Sequence, residues 1–345
     1  MRVYVPELNY INALDFSKQL CELKVSDGEL LMDFNRMRNY DPFSMLVVSS
    51  ALREFGRVNP KIKKRIDVNE SNTNAQYAGH MGFFKSISDR LSVGKKPGEA
   101  RGSSNYIPIT PIILEGLREE SQNENIYITQ MIENKSKNLG RILAQGNKDL
   151  EYALTFIIRE IMRNIEEHSE ADTIWICAQH WPRYQLVEIG ILDEGQGVKQ
   201  SLKKNVHYRS LIKDDYTALE LALKPGVSKA FRINNMPDGI WDNSGFGLYM
   251  ASNICTALQG SFLISSGNSC ICNRYDRDIN DIVSKRIDTR MNGTAIRMTI
   301  STEKIQEYEA IQKQFVKQGE ELARKMKKSI KQASKSSKGL IDYLD

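Results

Sequence analysis

The sequence predicts an α/β protein, a small α/β unit followed by a larger one in which helices cover a sheet. Three observations predict it. The chain has 345 residues, and at roughly 150 residues per domain that suggests about two domains. Its first third alternates short apolar runs with helical patterns, the mark of an α/β layer. From Asp149 onward, a strongly periodic amphipathic helix is followed by β-rich runs.

The elements follow in order. Residues 28–34 (GELLMDF) read as a buried strand. Asp41-Pro42 opens an apolar helix over 43–55, with Pro42 suited to a first turn. Residues 61–68 read as an edge strand and 75–87 as a helix. Residues 94–104 (GKKPGEARGSS) read as an exposed loop. Residues 123–146 look like a helical connector. Leu154, Ile158, Ile161 and Ile165 recur at three and four residues, one helical stripe. Residues 173–178 (TIWICA) and 185–192 (QLVEIGIL) form a hairpin around Pro182. The polar stretch 198–244, with a small helix at 217–223, is long enough to be a lid. A helix over 246–258 stops at Gly260. Strands at 262–265 and 294–300 close the unit, and a long polar helix begins at Glu303. The expected domains are therefore 1–115, a connector at 116–147, 148–302, and a basic helical tail at 303–345.

Composition excludes several classes. Hydrophobic residues are 41% and charged residues 26%, which excludes wholesale disorder, collagen and a coiled coil as the main architecture. No apolar run approaches the ~20 residues that cross a bilayer. The start MRVYVPELNY has no apolar h-region. A cytoplasmic location without a membrane partner is expected. Five scattered cysteines do not suggest a disulfide framework. Cys270 and Cys272 form a lone C-x-C and, with the others, read as buried thiols. Within 319–339, seven Lys and Arg face two Glu, so the net charge of +5 is concentrated there. The body is near neutral, which confines nucleic-acid contact to the basic tail. The apolar positions Tyr308, Ile311, Phe315 and Leu322 suggest that this tail helix packs on the body.

Four short motifs carry candidate chemistry. In REIMRNIEEHS (159–169), Glu160 and Asn164 lie four apart on one helix face, and His168 continues the row. An amide oxygen suits Mg²⁺, and a carboxylate one turn away can orient or deprotonate water. In DEGQG (193–197), Asp193 ends a strand where a carboxylate can accept from an amino group, and Gly195 and Gly197 allow close approach of a ligand. In NSGFGL (243–248), Asn243, Ser244, Gly245, Gly247 and Leu248 open a helix whose free N–H groups attract phosphate. In NGTAIRMTI, Gly293 and Thr294 open the last strand. Taken singly, each also fits a solvated helix face or a tight turn.

The ordered set resembles the ATP-binding domain of the GHKL superfamily, which includes gyrase-type topoisomerases, heat-shock chaperones, histidine kinases and mismatch-repair ATPases. The resemblance spans about 149–300. It implies a Bergerat-type α/β sandwich, a mixed sheet with helices on one face. It implies ATP and Mg²⁺ as ligands, with Asn164 coordinating Mg²⁺ and Asp193 reading the adenine amino group with help from Thr294. Gly195 and Gly197 would shape the nucleotide wall. Gly245 and Gly247 would cradle phosphates beneath the lid, and His168 would be a pocket-wall residue. Glu160 stands where hydrolytic members and anti-sigma serine kinases often place a catalytic Glu. Upstream, the only histidine is His80, in AGHMGFF, without the acidic neighbour of a phosphoacceptor; His180 and His207 read as surface residues. The stretch LLMDFNRMRNYDPFSMLVVSSALREF resembles a STAS-like regulatory domain, with Pro42 at the usual phosphoserine position and Ser44 displaced from it.

Three functions are compatible with these residues. One is Mg-ATP hydrolysis or phosphoryl transfer that regulates a partner. A second is an anti-sigma-type serine/threonine kinase acting on a STAS-like protein. The third is a nucleotide-gated interaction module with negligible turnover. ATP and a signalling or defence protein are the expected partners, and a homodimer is compatible with the sequence.

Overall fold

The computed structural model describes residues 1–25, 28–38, 40–228, 245–326 and 332–333. In the N-terminal layer, β1 (Arg2–Tyr4), β2 (Glu29–Asp33) and β3 (Lys63–Asp67) form a parallel sheet in that order. Parallel neighbours need crossovers, and α1 (Tyr10–Glu22) and α2 (Pro42–Val58) supply them. The Asn9 side chain caps α1 by accepting from the Asn12 N–H. Pro42 occupies the first turn of α2, where its missing N–H costs nothing. The helix expected over 75–87 is two, α3 (Thr73–His80) and α4 (Phe83–Ile87), parted at Gly82. That break turns Phe83 and Phe84 inward onto Phe34, with ring centroids 6.0 and 5.4 Å away. Ser44 is fully buried, so α2 presents no accessible hydroxyl at that position.

Next come β4 (Tyr106–Ile113), α5 (Leu114–Asn123), α6 (Ile128–Ala144) and α7 (Lys148–His168). They are followed by β5 (Thr173–Trp181), β6 (Leu186–Asp193) and the short helices α8 (Gly197–Lys203), α9 (Val206–Arg209) and α10 (Asp215–Ala222). The helix α11 (Gly247–Ala257) precedes β7 (Ser261–Asp276), β8 (Asp281–Ser301) and α12 (Tyr308–Lys325). The second sheet has the order β4-β5-β6-β8-β7 and is antiparallel throughout, not mixed. Tight connections make the β5–β6 and β7–β8 pairs antiparallel.

Period-2 alternation places two apolar faces on this sheet. Ile174, Ile176, Val187, Ile189, Ile191, Ile264 and Ile296 face α7, α11 and α12 in one core. Cys177, Leu192, Leu263, Cys270, Cys272 and Ala295 face the opposite way, into the core of the N-terminal layer. Helices were expected on one face only; here α1 and α2 cover the other. A fully buried Ile or Leu contributes roughly 1.5–3 kcal/mol, so both interfaces are held chiefly by apolar burial.

The expected boundaries move accordingly. β4 belongs to the second sheet, so a division at 115 cuts a strand from its partner β5. The connector at 116–147 is α5 and α6; α6 packs on α7 through buried Met131, Ile132 and Leu143, and α5 packs on α6. The last two strands run far beyond 262–265 and 294–300. Their outer halves lie on α1, where Thr289 Oγ1 donates to the Leu14 carbonyl at 2.8 Å. His180 is buried, with Nδ1 2.8 Å from the Leu143 carbonyl oxygen. In α12, Tyr308, Ile311 and Ala323 are buried while Leu322 is 46% exposed. Cys177, Cys255, Cys270 and Cys272 are buried thiols, and burial pushes each of them up. Among the described residues no helix is long and apolar enough to cross a membrane.

The two layers meet closely at Gly190 of β6. A Cβ there would stand 2.8 Å from Phe43 Cα and 3.0 Å from Phe43 N. Beside it, buried Glu188 accepts from the Phe43 N–H at 3.3 Å and pairs with Arg297 at 2.6 Å. Overpacking of this kind costs typically ~1–3 kcal/mol. Gly190→Ala is expected to lower the unfolding free energy in urea by about that amount. Gly116→Ala, in α5 with open space around the added carbon, is the control and is expected to be neutral or slightly stabilising. Equal behaviour of the two variants would contradict the close docking of α2.

Candidate functional site

The site grows from the end of β6. Asp193 pairs in register with Thr294 of β8, which brings a hydroxyl beside its carboxyl. Asp193 is 1% exposed. Its Oδ1 accepts from the Gly195 N–H at 2.9 Å. Burial pushes the carboxyl up to about 7, against the lowering effect of hydrogen bonds from Gly195 and Thr294. Across from it, α7 sends Asn164 and His168 into the same space, because residues four apart share a helix face.

These groups line one cavity of about 90 Å³. Asn164, His168, Asp193, Gly197, Leu248 and Thr294 all contribute to it. Ile161, Ile165, Ile191, Ile264 and Ile296 make its apolar walls. One buried carboxylate among flat aliphatic surfaces fits a planar heterocycle with an amino edge: the faces gain from burial and the amine gains an acceptor. Ser201 of α8, with Val227 and Ser228 beyond α10, closes the remaining side.

Gly195 has a packing reason of its own. A Cβ there would be 2.1 Å from the Ser169 carbonyl oxygen at the end of α7. The same turn is stitched to α7 by the Gln196 N–H donating to that oxygen at 2.8 Å and by Gln196 Nε2 donating to the His168 carbonyl at 2.6 Å. Gly195 therefore lies against the helix and does not line the cavity. Ser266, which the sequence did not single out, holds the next step: its Oγ accepts from the Val198 N–H at 3.0 Å and donates to the Gly293 carbonyl at 2.7 Å. Its signal was its place opposite Thr294 in the β7–β8 register.

Glu160 also stands outside the cavity lining. Its Oε1 accepts from Arg159 Nε at 3.1 Å and Nη2 at 2.6 Å. Arg159 is 1% exposed and also pairs with Glu133 at 3.3 Å. The other oxygen, Oε2, abuts Gly247 at the start of α11, where a Cβ would come within 2.4 Å of it. Gly247 thus lets the N-terminus of α11 settle onto Glu160. The Gly245 carbonyl accepts from the Gly226 N–H at 3.1 Å. Asn243 and Ser244, with the rest of the expected lid over 229–244, lie outside the described residues. So do most of the lysines of the basic tail.

The donor set bears on a metal. Among the described residues no three or more His, Cys, Asp or Glu are grouped so as to hold a metal ion. The amide oxygen of Asn164 is a hard donor of the kind Mg²⁺ accepts when phosphates and waters supply its remaining ligands. No protein-family model matches the chain, and no curated protein matches it.

The raised carboxyl has a consequence for stability. Its ordinary value is near ~3.9. The folded state therefore holds the extra proton between about pH 4 and 7, and Asp193 takes stability away as pH rises through that window. Asn at this position keeps the acceptor for Gly195 and carries no charge. Asp193→Asn is expected to melt several degrees higher than the unaltered chain at pH 8, with the gap closing toward pH 4. Asp41, also pushed up to about 7 by burial and Glu188, is present in both and cancels. Identical melting at pH 8 would contradict the burial of the charge.

Proposed function

We propose that this chain binds Mg-ATP in the cavity between α7, β6, β8 and α11 and transfers its terminal phosphoryl group to water, in the manner the GHKL resemblance implies. The observation that supports this most is convergence: Asn164, Asp193, Gly197, Leu248 and Thr294, drawn from stretches far apart in sequence, line one cavity with a buried carboxylate in it. On this reading the unit from β4 to β8 is a Bergerat-type domain and the N-terminal layer a STAS-like regulator.

The roles follow from chemistry. The Asp193 carboxylate accepts from the adenine amino group while the isoleucine walls cover the ring faces. The N–H groups that open α11 at Gly247 face the phosphates, helped by the positive end of the helix dipole. Mg²⁺, held by Asn164, neutralises charge on the phosphates when bound. Glu160 Oε2, beside Gly247, orients the attacking water. Its other oxygen is kept in place by Arg159, so the carboxylate has one orientation.

One observation favours a second reading, a nucleotide-gated module without turnover. The Arg159 that grips Glu160 is fully buried and shared with Glu133, which commits one Glu160 oxygen to a structural ion pair. Phosphate release decides between the two.

Titration of the full chain with ATP and Mg²⁺ in a calorimeter tests the binding. Asp193→Asn presents an N–H toward the adenine amine, and an unsatisfied buried donor costs ~1–3 kcal/mol; affinity is expected to fall about tenfold or more. Equal affinity in that variant would contradict the assignment of Asp193. For turnover, Glu160→Gln is the informative change, since it leaves an acceptor for Arg159. It is expected to keep ATP binding and lose phosphate release by ~10²-fold or more. Unchanged release would remove Glu160 from the chemistry, and no release by the unaltered chain would select the gated module.

A further inference from the structure

The turn that carries Asp193 is also held from the opposite face of the sheet. Glu194, the next residue, points away from the cavity toward α2. Its Oε1 accepts from Arg53 Nε at 3.0 Å, Arg53 Nη2 at 2.8 Å and Ser50 Oγ at 2.6 Å. Three donors on one oxygen fix the carboxylate in a single orientation. Arg53 is itself fixed: Nη1 donates to the Ser86 carbonyl at 2.6 Å, and the guanidinium lies 4.3 Å from the centroid of the Trp175 ring. Its side chain is 18% exposed and that of Glu194 31%. The neighbouring charges on α2, Glu54 and Arg57, are paired with each other. Arg53 therefore joins the N-terminal layer, β5 and the strand-end turn at one point.

We propose that Arg53 is a positioning residue for the nucleotide site: through Glu194 it fixes the turn 193–197, so that the N-terminal layer sets the nucleotide affinity of the second sheet. The inference rests on the Mg-ATP reading above. It gives the N-terminal layer a mechanical role that requires no phosphorylation, consistent with the burial of Ser44. A shift of α2 relative to β6 acts directly on Glu194, because both Arg53 and Ser50 stand on α2. The base-reading carboxylate lies one peptide unit away.

The test is a double-mutant cycle on the full chain, with ATP affinity read by calorimetry. Arg53→Met and Glu194→Ala are each expected to weaken ATP binding about tenfold, in the usual range for coupling between sites. The double variant is expected to bind no more weakly than either single one, since both remove the same link. Arg53→Lys, which keeps the charge, is expected to recover much of the loss. Hydrogen exchange is expected to quicken at the amides of 195–198 while α7 and α11 stay protected. Additive losses, unchanged affinity in both single variants, equal loss in the Lys and Met variants, or exchange quickened throughout the fold each overturn the proposal. Failure of the unaltered chain to bind ATP is a separate result: it overturns the nucleotide reading, and this inference with it.

Discussion

A single buried carboxyl at the end of β6 organises the site around it. Asp193 pays a desolvation cost that its hydrogen bonds from Gly195 and Thr294 offset only in part, as its raised pKa shows. The chain tolerates that cost because the turn after it cannot relax. Gly195 lies on the Ser169 carbonyl, Gln196 is bonded to the end of α7, and Ser266 ties the next step to Gly293. A charge kept in an apolar recess is a stability loss that makes sense where a ligand supplies the missing partner.

The second constraint is that the central sheet has no free face. In an antiparallel sheet one side is commonly solvated, but here α7 and α11 cover one side and α1 and α2 the other. The turn 193–197 is therefore reached from both directions. Gly190 lets the start of α2 lie on β6, and Arg53, further along the same helix, grips Glu194. Buried Glu188 and Arg297 satisfy each other at this junction, where an isolated charge would be prohibitive. The two layers behave as one packed body at the site rather than as tethered modules.

Much of this was legible in the sequence because it is periodic. The stripe through Leu154, Ile158, Ile161 and Ile165 became α7, and the runs around Pro182 became a hairpin. Gly260 marked the end of α11. What was missed has physical causes. β4 carries Pro108 and Pro111, which argue against an interior strand; it is an edge strand, where proline is tolerated. The outer halves of β7 and β8 are polar on one side and lie on α1, so no apolar run announced them. The alternation in TIWICA was visible, but nothing local says that Trp175 and Cys177 also face a core. Asp193, Asn164 and Thr294, singled out by their order along the chain, line one cavity. Glu194 and Gln196 gave no local signal, because their partners Arg53 and Ser169 are distant in sequence. The ion pair of Glu160 with Arg159 had no spacing signal, since adjacent helix residues ordinarily point apart.

The most direct measurement of the account is a crystal structure of the chain grown with Mg²⁺ and a non-hydrolysable ATP analogue. The account predicts the adenine amino nitrogen within hydrogen-bonding distance of the Asp193 carboxylate, the ring between the isoleucine walls, and the phosphates at Asn164 and the start of α11. A nucleotide seated elsewhere, or a cavity that stays empty at millimolar analogue, would contradict it.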